Sequence, residues 1–541
     1  MLILKNAKIA TMDEAMPFAR AAVIDGETFV YVGDEAVAMA WPGADEAEIL
    51  DLQGGLVIPG FNDSHLHFIH YVKAKTSVDL FGTGSMAELK ERLRQGLSNY
   101  SPAGGRFLMG EGWNQEFFSD EKRFPTRYDL DEVSREYPII IMRSCFHIGA
   151  VNSKAMEILG LDRDSAKKHG EFVEVDASGE PNGVIKENYL DDIKGSLPSM
   201  SLSELTEQVC RAQEDLFALG ITSVQTDDFK YAPENAPYEM MEALAELSKS
   251  GKLKLRISEQ ALLTEQETLD EFFARGVAEA EHCKVSTIKL LADGSLGGRT
   301  AFMRVPYADD ADTCGLAIYE QEMLDKLVLT AHERNMPVAV HVIGDGAAEM
   351  ALDAFEKALA AHPEFAPRHG LVHCQVMGRD QLERMRRLGV QAFTQPVFIQ
   401  GDMHIAEARL GAERVRDSYS WRTMLELGIP QSFGTDCPVE GLNPMAGIYC
   451  AVTRRDFEGR GPFLPEQALS VQEAIYGYTA AGAYASMDEH RKGKIAPGML
   501  ADFLLMDRDL FTCDPNELLH ATVQATWLGG ERVYSAPGWE I

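Results

Sequence analysis

From residue 55 to residue 438 the chain repeats one pattern: a short apolar run, a break, then a longer stretch with apolar residues three and four positions apart. The runs are Gly55–Phe68, Ile221–Asp227, Leu253–Ala261, Val285–Asp293, Pro337–Asp345, Gly370–Val376, Val390–Pro396 and Gln431–Pro438. Runs of this length predict buried strands, and three-to-four spacing predicts amphipathic helices. Helical spacing occupies 201–219, 236–250, 264–277, 320–335, 346–361, 379–388 and 421–427. Strands alternating with helices predict a parallel sheet, and eight such units predict an α/β fold closed as a (β/α)8 TIM-like barrel.

The flanks carry a different pattern. Residues 1–57 hold short alternating stretches, Leu2–Ile9, Ala21–Ile24 and Phe29–Val32, with Asp25-Gly26 as a hairpin turn. Residues 487–541 hold Phe503–Met506, Val523–Trp527 and, after Gly529-Gly530, Arg532–Tyr534. Neither flank has enough strands to bury a face alone. Together they predict a small β-sandwich built from both termini, beside a barrel domain over 58–486. Within that domain the stretch from 77 to 200 is far too long for a βα connection and predicts a large inserted lobe.

Composition narrows the class. A hydrophobic share of 45% supports a sizeable core, and no run approaches the length of a membrane span. The start Met-Leu-Ile-Leu-Lys-Asn-Ala-Lys lacks a basic region followed by an apolar stretch and cleavage site, so a cytoplasmic location is expected. The formal charge of −33 disfavours phosphate backbones and anionic bilayers, so the partner expected is a small-molecule substrate rather than nucleic acid or membrane. A homodimer is the quaternary expectation. Eight cysteines without a CxxC pair fit reduced, buried thiols, Cys374 and Cys437 among them.

The chemistry stands where the runs end. His65 and His67 emerge side by side, because residues i and i+2 of a strand share a face, and two such imidazoles suit one metal ion. Lys289 interrupts the apolar run Val-Ser-Thr-Ile-Lys-Leu-Leu, where a lysine is rarely buried without a partner. His341 and His373 sit on the next two runs, and Asp436 ends the last. Each has a plain structural alternative: a satisfied core histidine, a turn aspartate, or a buried lysine paired to a carboxylate. The barrel topology gathers all six at one end.

This ordered set resembles the amidohydrolase superfamily, which takes ligands from HxH after strand one, a lysine on strand four, histidines on strands five and six, and an aspartate after strand eight. The segments Ile288-Lys-Leu-Leu-Ala-Asp-Gly-Ser-Leu-Gly-Gly-Arg-Thr-Ala301, His341-Val-Ile-Gly-Asp-Gly346 and Phe433-Gly-Thr-Asp-Cys-Pro-Val439 resemble its amidohydrolase-3 branch, which includes N-substituted formamide deformylases. The resemblance implies metal ligands at His65, His67, Lys289, His341, His373 and Asp436. It also implies two zinc ions bridged by a carboxylated Lys289, and Asp436 as the catalytic proton carrier. A neutral lysine amine that has taken up CO2 supplies the two bridging oxygens; the alternative is a one-metal site in which Lys289 stays an amine. Substrate-side residues expected from the same motifs are Asp293 and Arg299, the latter alternatively a structural salt bridge. Trp113 and Asn114 in Glu111-Gly-Trp-Asn114, together with His147, are expected from the lobe, either lining the substrate pocket as the resemblance implies or, equally, in the lobe's core. The expected reaction is hydrolysis of a non-peptide carbon–nitrogen bond, an amide or formamide, by metal-activated hydroxide. Two rivals are a one-metal deaminase and a catalytically silent binding scaffold. The deaminase pattern HxxE is not met by His341-Val-Ile-Gly344, and the scaffold reading is expected to lack ligands, of which none is missing.

Overall fold

The predicted alternation of strand and helix folds into one ring. The protein is seen in a computed structural model that describes residues 1–98, 107–143, 148–197, 200–233 and 236–539. The ring's strands are β1 (Phe61–Leu66), β2 (Ile221–Thr226), β3 (Arg256–Leu262), β4 (Cys283–Leu291), β5 (Val338–Val342), β6 (Gly370–His373), β7 (Gln391–Thr394) and β8 (Gln431–Phe433). They pair in sequence order and all in parallel. The helices α1 (Leu202–Ala218), α2 (Pro237–Lys249), α3 (Gln266–Arg275), α4 (Gln321–His332), α5 (Asp345–Ala361), α6 (Arg379–Leu388) and α7 (Trp421–Leu427) each precede the next strand. This is the expected TIM-like (β/α)8 architecture.

Helix formation follows the apolar spacing. In α5 the buried positions Ala347, Ala351, Leu352, Phe355 and Ala358 fall three and four apart, and α4 buries Leu324, Leu327, Val328 and Ala331 in the same rhythm. The two helices lie against each other and against β5. Truncating the fully buried Phe355 to Ala would remove about 3–5 kcal/mol.

The ring closes between β8 and β1. The Asp436 N–H donates to the His65 carbonyl at 2.8 Å and the His67 N–H donates to the Cys437 carbonyl at 2.8 Å. Thr435 donates its N–H and hydroxyl to the buried Asp63 carboxylate at 3.0 and 2.6 Å. So close an approach requires glycine at 434, since a Cβ there would lie 2.5 Å from the His65 nitrogen.

Inside the ring the structure departs from a purely apolar filling. All six residues of β2 are buried, including Thr222, Ser223, Gln225 and Thr226. Glu259 and Gln260 of β3 are likewise buried. Of these, Gln260 meets His65, and Thr226 and Glu259 hold Asp228 beside Asp227.

The termini form two sheets. One is all N-terminal, in the order Thr28–Gly33, Ala21–Asp25, Leu2–Lys5, Glu48–Asp51. The other interleaves both ends: Glu531–Ser535, Val523–Leu528, Phe503–Met506, Leu56–Pro59, Lys8–Ala10, Phe18–Ala19. A common apolar cluster holds Leu4, Ile24 and Phe29 with Val57, Phe503 and Trp527, and Phe503 stacks on Trp527 at 4.6 Å. Leu56–Pro59 pairs with Phe503–Met506, so this sheet runs across the expected boundary between 57 and 58.

Residues 71–205 form a separate compact unit, and 1–70 with 206–541 form the other. The smaller unit has its own six-stranded mixed sheet, ordered Val173–Val175, Pro181–Lys186, Ile148–Val151, Ile139–Arg143, Leu108–Trp113, Ser77–Asp79. Apolar clusters around Leu89, Trp113 and Ile141 and around Ile140, Met156 and Ile185 give it a core of its own. Among the described residues, no helix is long and apolar enough to cross a membrane.

Candidate metal centre

β1 brings His65 and His67 to the C-terminal end of the ring, where both are buried. Their outer nitrogens are held. His65 Nδ1 lies 3.2 Å from Gln260 Oε1 on β3, and His67 Nδ1 meets Asp227 Oδ1 just past β2. His373, ending β6, has its Nδ1 2.8 Å from Gln395 Oε1, just past β7. An oxygen acceptor on Nδ1 fixes the tautomer with the proton there and leaves the Nε2 lone pair for a cation. His65 and His373 are thus set in the ligand tautomer, and His67 reaches it when an ion takes the place of its Nε2 proton.

Asp436 completes the group. Its Oδ1 is 3.0 Å from His67 Nε2 and 3.3 Å from His65 Nε2, yet it is buried and has no aligned hydrogen-bond donor. One ligand atom from each of His65, His67 and Asp436 falls within 4.8 Å of the others. A buried carboxylate oxygen facing two nitrogens without a proton aligned between them is a place a divalent ion fits. Backbone geometry is strained here, with Asp436 at φ 59° and His373 at φ 75°, the kind of strain that collects at functional sites.

The electrostatics agree. Burial pulls the His67 imidazole down, but the flanking carboxylates of Asp227 and Asp436 outweigh it and hold it up at about 10. A position that retains a positive charge so strongly offers the same field to a metal ion. His65 is lowered by burial and by the Lys289 ammonium, and His373 is pushed well down by burial and His341. Asp436, raised by burial, is held well below the carboxylate range by His65 and His67.

Lys289 on β4 is almost fully buried, and its Nζ lies 3.0 Å from Asp227 Oδ2. Burial raises the Asp227 carboxyl, but Lys289 and His67 overcome it and hold it ionised. Sequence reading assigned Asp227 no role, although it ends the second run as His65 and His67 end the first. A carboxylate at a strand's C-terminal end was the available signal. Gln260 and Gln395 passed unnoticed because glutamine on a strand reads only as an interruption. Behind Asp227, Asp228 accepts from the Thr226 hydroxyl at 2.6 Å and from the Ile69 N–H at 2.9 Å. Burial raises Asp228 to about 7 and Glu259 well above the usual range.

His341 on β5 shares the cavity, its ring centroid 4.4 Å from that of His373. Its Nε2 lies 3.1 Å from the Gly294 carbonyl and 3.5 Å from Asp293 Oδ1, so in this arrangement Nε2–H is a donor. Burial and Lys289 lower it to about 4. Asp293 accepts from the N–H groups of Phe302, Ile343 and Gly344 at 2.8 to 3.3 Å, and burial raises it to about 7. Gly344 is required, since a Cβ would lie 2.1 Å from the Phe302 carbonyl. Asp293 therefore ties the loop after β4 to the end of β5.

The remaining expected residues fall as follows. Arg299 forks onto Asp309 at 2.9 and 3.1 Å, and Asp309 also takes Arg409. Trp113 is fully buried in the smaller unit's core beside Phe124. Asn114 caps a short turn, accepting from the Glu116 N–H, and takes a second bond from Arg143 at 3.0 Å. His147 lies outside the described residues. Cys374 and Cys437 are buried. The six expected ligands line a cavity of about 630 Å³ together with Asp227, Tyr231, Phe398, Asp402 and Glu440.

Residues 48–534 match the model of the Amidohydrolase family. The chain is 34% identical over 500 residues, 91% of each chain, to YtcJ of Bacillus subtilis, an amidohydrolase by name. It is 27% identical over 560 residues, 99% of each, to the N-substituted formamide deformylase of Arthrobacter pascens. An uncharacterized metal-dependent hydrolase from Pyrococcus horikoshii superposes with a TM-score of 0.77 at 30% identity, covering 95% of this chain and 99% of its own. The chain belongs to the amidohydrolase family and is a metal-dependent hydrolase of that superfamily.

Proposed function

We propose that this protein hydrolyses a non-peptide carbon–nitrogen bond, an N-acyl or N-formyl amine, with a divalent ion held by His65, His67 and Asp436. The observation that carries the proposal is the unpartnered Asp436 Oδ1 facing two imidazole nitrogens. Such an ion, once bound, lowers the pKa of water to about 7 and polarises a carbonyl. The chain's own residues do the rest. Gln260 and Asp227 hold His65 and His67 by their Nδ1 protons, fixing the ring planes. Asp436, kept ionised by those two histidines, accepts the proton from attacking water and returns it to the leaving nitrogen. The carbon–nitrogen assignment draws support from the formamide deformylase relative, which aligns end to end.

A second reading of the metal content, two zinc ions bridged by a carboxylated Lys289, is favoured by the convergence of Lys289, His341 and His373 on the same cavity. The contact of Lys289 Nζ with Asp227 favours an unmodified ammonium, since a carbamate would set one anion against another. Elemental analysis of the active enzyme separates them, one ion per chain for the first and two for the second.

The reaction is tested by assaying wild type and Asp436→Asn against N-formyl amines, N-acyl amino acids and aminated heterocycles. Hydrolysis of the acyl amines, with kcat about 100-fold or more lower in the variant while the fold persists, supports the proposal. Turnover of the heterocycles alone overturns it in favour of a deaminase. No turnover in any arm by metal-loaded protein sinks the carbon–nitrogen reading.

A further inference from the structure

We infer that the stretch of cavity wall formed by Asp402, Glu440 and Gln375 is built to receive an alkyl cation bearing several N–H donors, an ammonium or guanidinium, on the substrate. The inference rests on the hydrolase reading and adds the substrate's charge.

Several carboxylates line the cavity. Asp227 has Lys289, Asp293 has three backbone N–H groups, and Asp436 belongs to the metal cluster. Asp402 and Glu440 remain. Asp402 Oδ2 accepts from the Tyr419 hydroxyl at 2.5 Å and from Gln375 Nε2 at 3.2 Å. Glu440 accepts from Gln400 Nε2 at 3.2 Å on both oxygens. All these donors are neutral, and among the described residues neither carboxylate has an ion-pair partner. Arg454 is buried behind Tyr419 but donates to the backbone carbonyls of Tyr419 and Phe463, at 3.2 and 2.8 Å, and lies 4.3 Å above the Trp421 ring. Lys230, at the same cavity, lies 4.8 Å from the Tyr231 ring.

A second observation is independent of the acids. Gln375 lines the cavity at 3% exposure, and its Oε1 has no hydrogen-bond partner. The amide cannot be turned to satisfy that oxygen, because its nitrogen is the group that donates to Asp402. The wall therefore presents two carboxylates, with the orphaned carbonyl oxygen of Gln375 buried on the same amide that donates to Asp402. Buried acceptors call for donors, and two carboxylates call for a cation. Phe398, stacked on His373 at 5.8 Å, adds an aromatic face to the same cavity.

The test uses the zinc-loaded full-length protein in two arms. Calorimetry compares butylguanidinium, which keeps its proton and offers no lone pair to the metal, with its neutral isostere butylurea. Kinetics compare N-formyl alkylamines ending in guanidinium with those ending in urea. The expected result is a preference for the cation of about tenfold or more in both arms, the size of one charge-assisted hydrogen bond. That ratio should collapse toward unity in Glu440→Gln and in Asp402→Asn. The second variant guards against loss of fold in the first. Equal binding of the two probes by wild type, or a preference unchanged in both variants, overturns the inference. Cation-selective binding without turnover of any N-formyl compound leaves the wall standing and removes the proposed N-formyl amine hydrolysis. Turnover without selectivity does the reverse.

Discussion

Replacing Asp227 by Asn separates the support of the metal site from the chemistry it performs. The carboxylate touches two groups: His67 through Nδ1 and Lys289 through a 3.0 Å contact to Nζ. Asparagine keeps the shape and one acceptor but deletes the charge. Lys289, at 1% exposure, is left a buried cation without its counter-ion, and removing one member of such a pair costs about 3–5 kcal/mol. His67 loses the anionic partner that strengthens it as a ligand, which lowers metal affinity by about 10–100-fold. Both effects are measurable on purified protein: urea denaturation of the metal-free chain for the first, competition with a chromophoric chelator for the second. The double variant Asp227→Asn/Lys289→Met removes both charges and should recover most of the lost stability but none of the lost metal affinity. A single variant within about 1 kcal/mol of wild type, binding metal as tightly, would refute the account of Asp227, since a loss that small is typical of exposed pairs rather than buried ones.

Two further outcomes follow from particular contacts. His369 is buried, its Nδ1 accepting from the Val338 N–H and its Nε2 3.0 Å from His332 Nδ1; burial and His332 lower it to about 3. Because the unfolded imidazole takes its proton near 6.5 and the folded one only near 3, the unfolded chain binds more protons between those values. Stability is therefore full above about pH 6.5 and falls by up to a few kcal/mol as pH drops toward 3, and thermal midpoints of His369→Asn should fall less steeply across that window than those of wild type; equal slopes would contradict this. Gly434→Ala drives a methyl to 2.5 Å from the His65 nitrogen and should cost about 1–3 kcal/mol by overpacking while loosening metal retention, as elemental analysis before and after dialysis would read; retention equal to wild type would show that closure between β8 and β1 does not position the ligands.

The barrel was legible because its strands are separated by amphipathic helices, and the ligands because they stand at strand ends. What pattern reading missed has a common physical origin: polar side chains buried inside the ring. Gln225, Glu259, Gln260 and Gln395 lie in runs read as buried strands, where a polar side chain carries no sign of its partner, and each is inside. Gln260 and Gln395 meet His65 and His373, Glu259 accepts from the Asp228 N–H and Gln225 donates to the Gly482 carbonyl, partners that only the three-dimensional ring brings together. The terminal sheets show a second limit. Leu56–Pro59 and Phe503–Met506 are neighbours in one sheet across more than four hundred residues of chain, and nothing in either segment names the other. The inserted stretch was legible as an insertion from its length, while its mixed six-stranded sheet was not, since its parallel pairs are set by long-range packing around Trp113 and Ile141.

The central claim is that His65, His67 and Asp436 hold the ion on which hydrolysis depends. It is tested most directly by chelating the enzyme to metal-free protein and titrating zinc back while following both bound metal and N-formyl amine hydrolysis. Activity lost on chelation and regained in proportion to the ion bound, with neither regained in a His65→Ala/His67→Ala variant that still folds, is the result this account predicts. Undiminished hydrolysis by the metal-free chain would contradict it.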